Sequence, residues 1–87
     1  MNTPKFGFVL IVLMLLALPI GAFAQTQKKV ELHIERLKDN DWFVREKAAR
    51  ALGRMGAKAS KAIPALMQAL KDKRWKVRKR ATEALKK

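Results

Sequence analysis

Leu37 to Leu52 reads LKDNDWFVREKAARAL, and Leu70 to Leu85 reads LKDKRWKVRKRATEAL. The second string lies 33 residues after the first, and nine of sixteen positions are identical: Leu37/Leu70, Lys38/Lys71, Asp39/Asp72, Trp42/Trp75, Val44/Val77, Arg45/Arg78, Ala48/Ala81, Ala51/Ala84 and Leu52/Leu85. The apolar correspondence reaches back to Val30/Ile63 and Ile34/Met67. A period of about 20 to 50 residues with helical patterning marks a stack of helical repeats. Such stacks bind partners across an extended surface, which turns attention to faces before clefts.

Outward from the repeat, the apolar spacing predicts four helices. Val30, Ile34 and Leu37, with Leu32 beside them, predict a first helix over about 28–38. Asp39, Asn40 and Asp41 form a turn whose carboxylates can cap the next helix. A second helix is expected from Trp42 to Leu52, with Val44, Ala48, Ala51 and Leu52 on one face and Gly53 and Gly56 bracketing its end. A third is expected from Lys61 to Leu70, with Ile63, Leu66, Met67 and Leu70 inward and Pro64 tolerated in the first turn. The fourth, from about Trp75 to Lys86, repeats the second with Val77, Ala81, Ala84 and Leu85. No segment has the period of two that strands require. Small residues at Ala48, Ala51, Ala81 and Ala84 suit close helix approach, and Met55 and Met67 read as core filler. The expected fold is all-α: a short α-solenoid of two antiparallel helix pairs, with units over about 30–53 and 61–87.

Residues 1–24 read as a separate signal. Lys5 precedes an apolar run from Phe6 to Leu18, Pro19 and Gly21 break it, and Ala22-Phe23-Ala24 offers a small-x-small cleavage site before Gln25. This is the layout of a secretory signal peptide, cleaved after Ala24; the alternative is an uncleaved anchor. Residues 25–29 then form a polar lead-in. The expected location is periplasmic or secreted. With no cysteine, the remaining 63 residues fold without disulfides, and a chain this short is expected to lean on self-association or a partner.

The charge is one-sided. The chain carries +13, and without Lys5 the remaining 19 basic and 7 acidic side chains leave +12. That sign points to acidic or polyanionic partners. Helical spacing places Lys76, Lys79, Arg80 and Lys87 opposite the core stripe of the fourth helix, with Phe43, Glu46, Lys47, Arg50 and Arg54 in the same phase on the second. Of these, Lys47, Arg50, Arg54, Lys76, Lys79 and Arg80 are the candidate partner-binding face. Trp42 and Trp75 share a phase at helix starts and read as rings packing across the turn and against the next unit.

Pro64, Asp72 and Arg78, spaced by eight and six, resemble the signature of HEAT repeats. Asp39 and Arg45 keep the spacing of six, while Glu31 stands where the proline is expected. The run from Val44 to Gly56, followed by Ala62-Ile63-Pro64-Ala65-Leu66, resembles the PBS-lyase-type subgroup of those repeats. The resemblance implies antiparallel helix pairs stacked into a right-handed solenoid, with the second helix of each pair lining the concave side. It also implies a polar ladder formed by Asp39, Arg45, Asp72 and Arg78 between units; locally, the two aspartates can instead cap the helices that follow them. Two departures stand out. Only two units are present, and the second ends at Lys87 without a polar capping repeat, so one flank of the core is expected to be exposed.

Little points to catalysis. His33 is the single histidine, followed by Ile34 and Glu35, which is too few ligands for the repeated His-Glu pairs of iron-binding HEAT enzymes. There is no cysteine nucleophile, glycine-rich phosphate loop or serine triad. No metal or cofactor is expected. The expected function is a non-catalytic interaction module whose basic face steers an acidic protein. The alternative is a polyanion binder for anionic envelope lipid, lipopolysaccharide or, less favoured for an exported chain, nucleic acid. Self-association through the exposed flank is a further expected mode.

Overall fold

A computed structural model describes residues 21–87. The signal-peptide reading of residues 1–24 lies outside the described residues except at its last four positions. No helix among the described residues is long and apolar enough to cross a membrane.

Residues 21–36 are helical (α1), so the stretch expected as a polar lead-in is helix instead. The physical reason is local. Nothing between Gly21 and Leu37 breaks a helix, the Thr26 hydroxyl donates to the carbonyl of Ala22 at 3.0 Å, and Val30 is fully buried. Helix α2 runs Trp42–Met55, a 3-10 stretch follows over Gly56–Ala62, α3 is Ile63–Ala69 and α4 is Trp75–Lys86. The described residues contain no strand.

The shared Leu-Lys-Asp triplet ends both first helices in the same way. Leu37, Lys38 and Asp39 donate backbone N–H groups to His33, Glu35 and Arg36 at 3.0, 3.0 and 3.1 Å. Leu70, Lys71 and Asp72 donate to Leu66, Gln68 and Ala69 at 3.2, 3.0 and 3.1 Å. Each aspartate then holds the turn, accepting from the N–H two residues on: Asp41 to Asp39 Oδ1 at 2.8 Å, Arg74 to Asp72 Oδ1 at 2.9 Å. Neither aspartate caps a helix. Asp41 does so for α2, accepting from the Phe43 N–H at 2.9 Å, while α4 has Arg74 at its N-cap and no side-chain cap.

Among the described residues, six of the eleven buried apolar ones are alanine, so the helices meet at short range. Helices α2 and α3 both pack on α4. Gly53, expected to end α2, lies inside it; a Cβ there would stand 3.2 Å from the Cα and 3.3 Å from the Cβ of Ala84. Close approach is what glycine supplies at 53, and Gly56, at φ +59°, supplies the left-handed stop.

The third helix departs most from expectation. It starts earlier, as the 3-10 stretch, and its inward residues are Ala59, Ala62, Leu66 and Ala69. Ile63, Met67 and Leu70, expected inward with Leu66, are 46%, 56% and 38% exposed. Their equivalents behave differently: Val30 is 0% and Leu37 8% exposed, and Ile34 packs on the core. The stripe buried in the first copy is thus open in the second, where no described residue covers it. Met67 is therefore surface, while Met55 packs on the core as expected.

Candidate functional site

The two copies are joined by charge as well as by alanine. Arg45 donates through Nη1 to the backbone carbonyls of Asp39 at 2.8 Å and Asn40 at 3.0 Å, which pins its side chain along its own turn. Its Nε and Nη2 then reach Asp72 Oδ2 at 2.8 Å and Oδ1 at 3.1 Å in a two-pronged pair, largely buried on both sides. Burial pushes the Asp72 carboxyl up, but the Arg45 hydrogen bonds, the Arg74 N–H and the charges of Arg45 and Arg78 outweigh it and hold it below the usual carboxylate range. The Asp72 hydrogen bond, ahead of the opposing burial, raises the Arg45 guanidinium. Arg78 repeats only the first half of this arrangement. Its Nη1 donates to the carbonyls of Asp72 at 2.7 Å and Lys73 at 3.0 Å, and its other nitrogens have no partner among the described residues. Of the four ladder residues, the structure thus joins Arg45 to Asp72 across the copies and leaves Asp39 and Arg78 at opposite ends.

The six cations expected on one face divide among several surroundings. Arg50, Arg54 and Arg80 do come together, on the rim of a groove of about 180 Å³ between α2 and α4 with Lys87 and Glu83, over a floor of Ala49, Gly53 and Ala84. Arg80 is already engaged, by Glu83 at 3.1 Å and Glu46 at 3.4 Å. Arg50, Arg54 and Lys87 are exposed and make no ion pair among the described residues. Lys76 stands over two rings, 5.3 Å from the Trp42 centroid and 5.8 Å from that of Trp75. Lys47 lies 4.5 Å over Phe43 and borders a different cleft, and Lys79 is exposed. Helical phase had put these side chains on one stripe; their carboxylate and aromatic neighbours, which phase does not reveal, separate them.

That second cleft, about 370 Å³, is lined by His33, Arg36, Asp39, Val44, Lys47 and Ala48. Desolvation first, then the Arg36 charge, lower the pKa of His33 and favour its neutral ring; its buried Nδ1 has no hydrogen-bond partner among the described residues. A wider opening of about 500 Å³ follows the turn edge, where Lys38, Lys71 and Lys73 surround the Arg45–Asp72 pair. These lysines were missed by the helical-stripe reading, although Lys38/Lys71 is one of the repeat identities. Glu83 is a further residue the stripe does not single out, although its spacing of three from Arg80 is a signal; Glu46 shares the basic phase, but its pairing with Arg80 does not show there. Among the described residues, no three His, Cys, Asp or Glu side chains group as a metal site.

Helical copies tied by a repeated turn and a cross-copy ion pair, with open charged faces, define the class as a helical-repeat protein. The profile described as HEAT repeats matches residues 12–87, and the chain belongs to that family. HEAT repeats generally mediate protein–protein interaction, and the family is typically non-catalytic. Comparison with curated proteins and with solved structures returned no match.

Proposed function

We propose that this chain is a non-catalytic interaction module in which the groove between α2 and α4 receives an acidic partner. We read the two copies as antiparallel helix pairs of the PBS-lyase-type subgroup, and residues 1–24 as an export signal, so the partner is met in the periplasm or outside the cell. The observation that carries the reading is the groove rim. Arg50, Arg54 and Lys87 are exposed and make no ion pair among the described residues, while the small floor of Ala49, Gly53 and Ala84 lets a partner's backbone come close. Arg80, held by Glu46 and Glu83, braces the rim and contributes less net charge. A surplus of +12 on residues 25–87 adds long-range attraction for an acidic surface.

The test is capture from cell-envelope extracts by the exported protein and by the Arg50→Glu/Arg54→Glu variant. Loss of the captured protein on charge reversal supports the reading, and equal recovery removes it. The same free cations favour one alternative, binding of anionic lipid or lipopolysaccharide. Titration with anionic vesicles over a salt series separates the two: direct phosphate binding weakens steeply with salt, whereas a protein partner leaves vesicle binding absent. Intact mass of the exported protein checks cleavage after Ala24.

A further inference from the structure

We propose that the open face of the second copy, formed by Ile63, Met67, Leu70, Arg78 and Lys79, docks a further helix pair that presents carboxylates to Arg78 and Lys79 and comes from outside residues 1–87. The junction inside the molecule supplies the template, because the first copy shows what each of these positions does when covered. Val30 and Leu37 are buried there, whereas Ile63 and Leu70 at the same positions are open. Arg45 grips its own turn through Nη1 and offers Nε and Nη2 to a carboxylate of the next copy. Arg78 has the same grip on its own turn, and its remaining donors have no acceptor among the described residues. The occupant therefore presents a carboxylate where Asp72 stands, beside small apolar residues where Ala62, Leu66 and Ala69 stand.

A second carboxylate is called for nearby. In the first copy, Glu46 meets Arg80 across the junction at 3.4 Å. The position of Glu46 is Lys79 in the second copy, so the sign is reversed and the occupant needs an acid in place of Arg80. This argues against a second copy of the chain. Its first-copy outer face places Lys29, His33, Arg36 and Lys47 where the junction uses Ala62, Leu66, Ala69 and Arg80, and matches only at Asp39. Its second-copy face would set Arg78 and Lys79 against their own kind. The occupant is a helix pair with a carboxylate at each of these two positions, and the surface lies apart from the groove between α2 and α4.

The test extends the full chain by a further copy of residues 55–87 after Lys87, which the 33-residue period places in register. The appended copy carries Arg80→Glu to supply the required acid. The melting midpoint is expected to rise by about 5 °C or more over the parent chain, with slower amide exchange at Ile63, Met67 and Leu70. Asp72→Asn in the appended copy, or Arg78→Ala in the parent part, removes at least half of the gain. No rise with unchanged exchange at those three residues overturns the proposal, as does a rise that both variants leave intact. Sedimentation of the unextended chain decides the occupant: a monomer supports an outside partner, and a dimer abolished by Met67→Asp replaces it with a second copy. Arg50 and Arg54 are unchanged in every parent chain, so failure here is separable from failure of the groove.

Discussion

Leu37 and Leu70 are the same residue at the same repeat position, yet one is 8% exposed and the other 38%. Arg45 and Arg78 hold their turns alike, yet only Arg45 closes a two-pronged pair. Trp42 lies under two cations of the second copy, while Trp75 is 57% exposed. The copies share a local structure and differ in what lies ahead of them. Residue identity sets the turn and the helix; the neighbour sets burial, pairing and therefore energy.

The largest expected effect sharpens that contrast. Leu37→Ala should cost about 2–4 kcal/mol in urea unfolding and Leu70→Ala under about 1 kcal/mol, since only the first empties a packed site. Equal losses would break the comparison. Exchanging Gly53 for the residue at its equivalent position, Gly53→Lys, should cost about 1–3 kcal/mol by driving a Cβ into Ala84. The reciprocal Lys86→Gly, at the exposed end of α4, should cost no more than about 1 kcal/mol.

Next comes the aspartate pair. Asp72→Asn should lose about 1–2 kcal/mol with the Arg45 contact, and Asp39→Asn, which keeps its turn acceptor, about 0.5 kcal/mol or less. The pH dependence follows with a definite sign. Asp72 titrates lower in the folded chain than unfolded, so its contribution is complete above the usual carboxylate range and is lost as pH falls through that range toward the folded value. Asp72→Asn should flatten this acid limb, as read from urea midpoints across the acid range. Glu31, lowered first by its Lys61 hydrogen bond, adds in the same direction. The lowered His33 does so at higher pH, because the unfolded ring takes up its proton first. The smallest effect is at the groove: Arg50→Glu/Arg54→Glu should shift stability by no more than about 0.5 kcal/mol per site, as thermal melts will read.

The period, the helical class and the bounds of α4 are legible in the sequence, because they depend on spacing within the chain. So is the turn, whose Leu-Lys-Asp triplet acts locally. The orientation of α3 is not. Ile63, Met67 and Leu70 have a proper helical spacing, and so do Ala59, Ala62, Leu66 and Ala69; only packing on α4 decides which stripe is inside. Gly53 was read as a stop because glycine is common there, and its close approach to Ala84 is a contact between elements 31 residues apart in sequence. The different surroundings of the basic residues were hidden for a related reason. Phase orders side chains around one helix but does not disclose that Glu46 and Glu83 engage Arg80 or that tryptophan rings lie beneath Lys76.

The paired indole rings carry a practical consequence. Arg74 lies 4.0 Å from the Trp42 centroid and Lys76 5.3 Å from it, both contributed by the second copy, whereas Trp75 is open to solvent. The two chromophores therefore report on different events. A soluble quencher should extinguish the Trp75 emission first and reach Trp42 fully only when the copies part. A ligand on the open end should shield Trp75 and leave the Trp42 signal alone. Without any added label, the protein's own fluorescence distinguishes opening at its middle from occupation of its end.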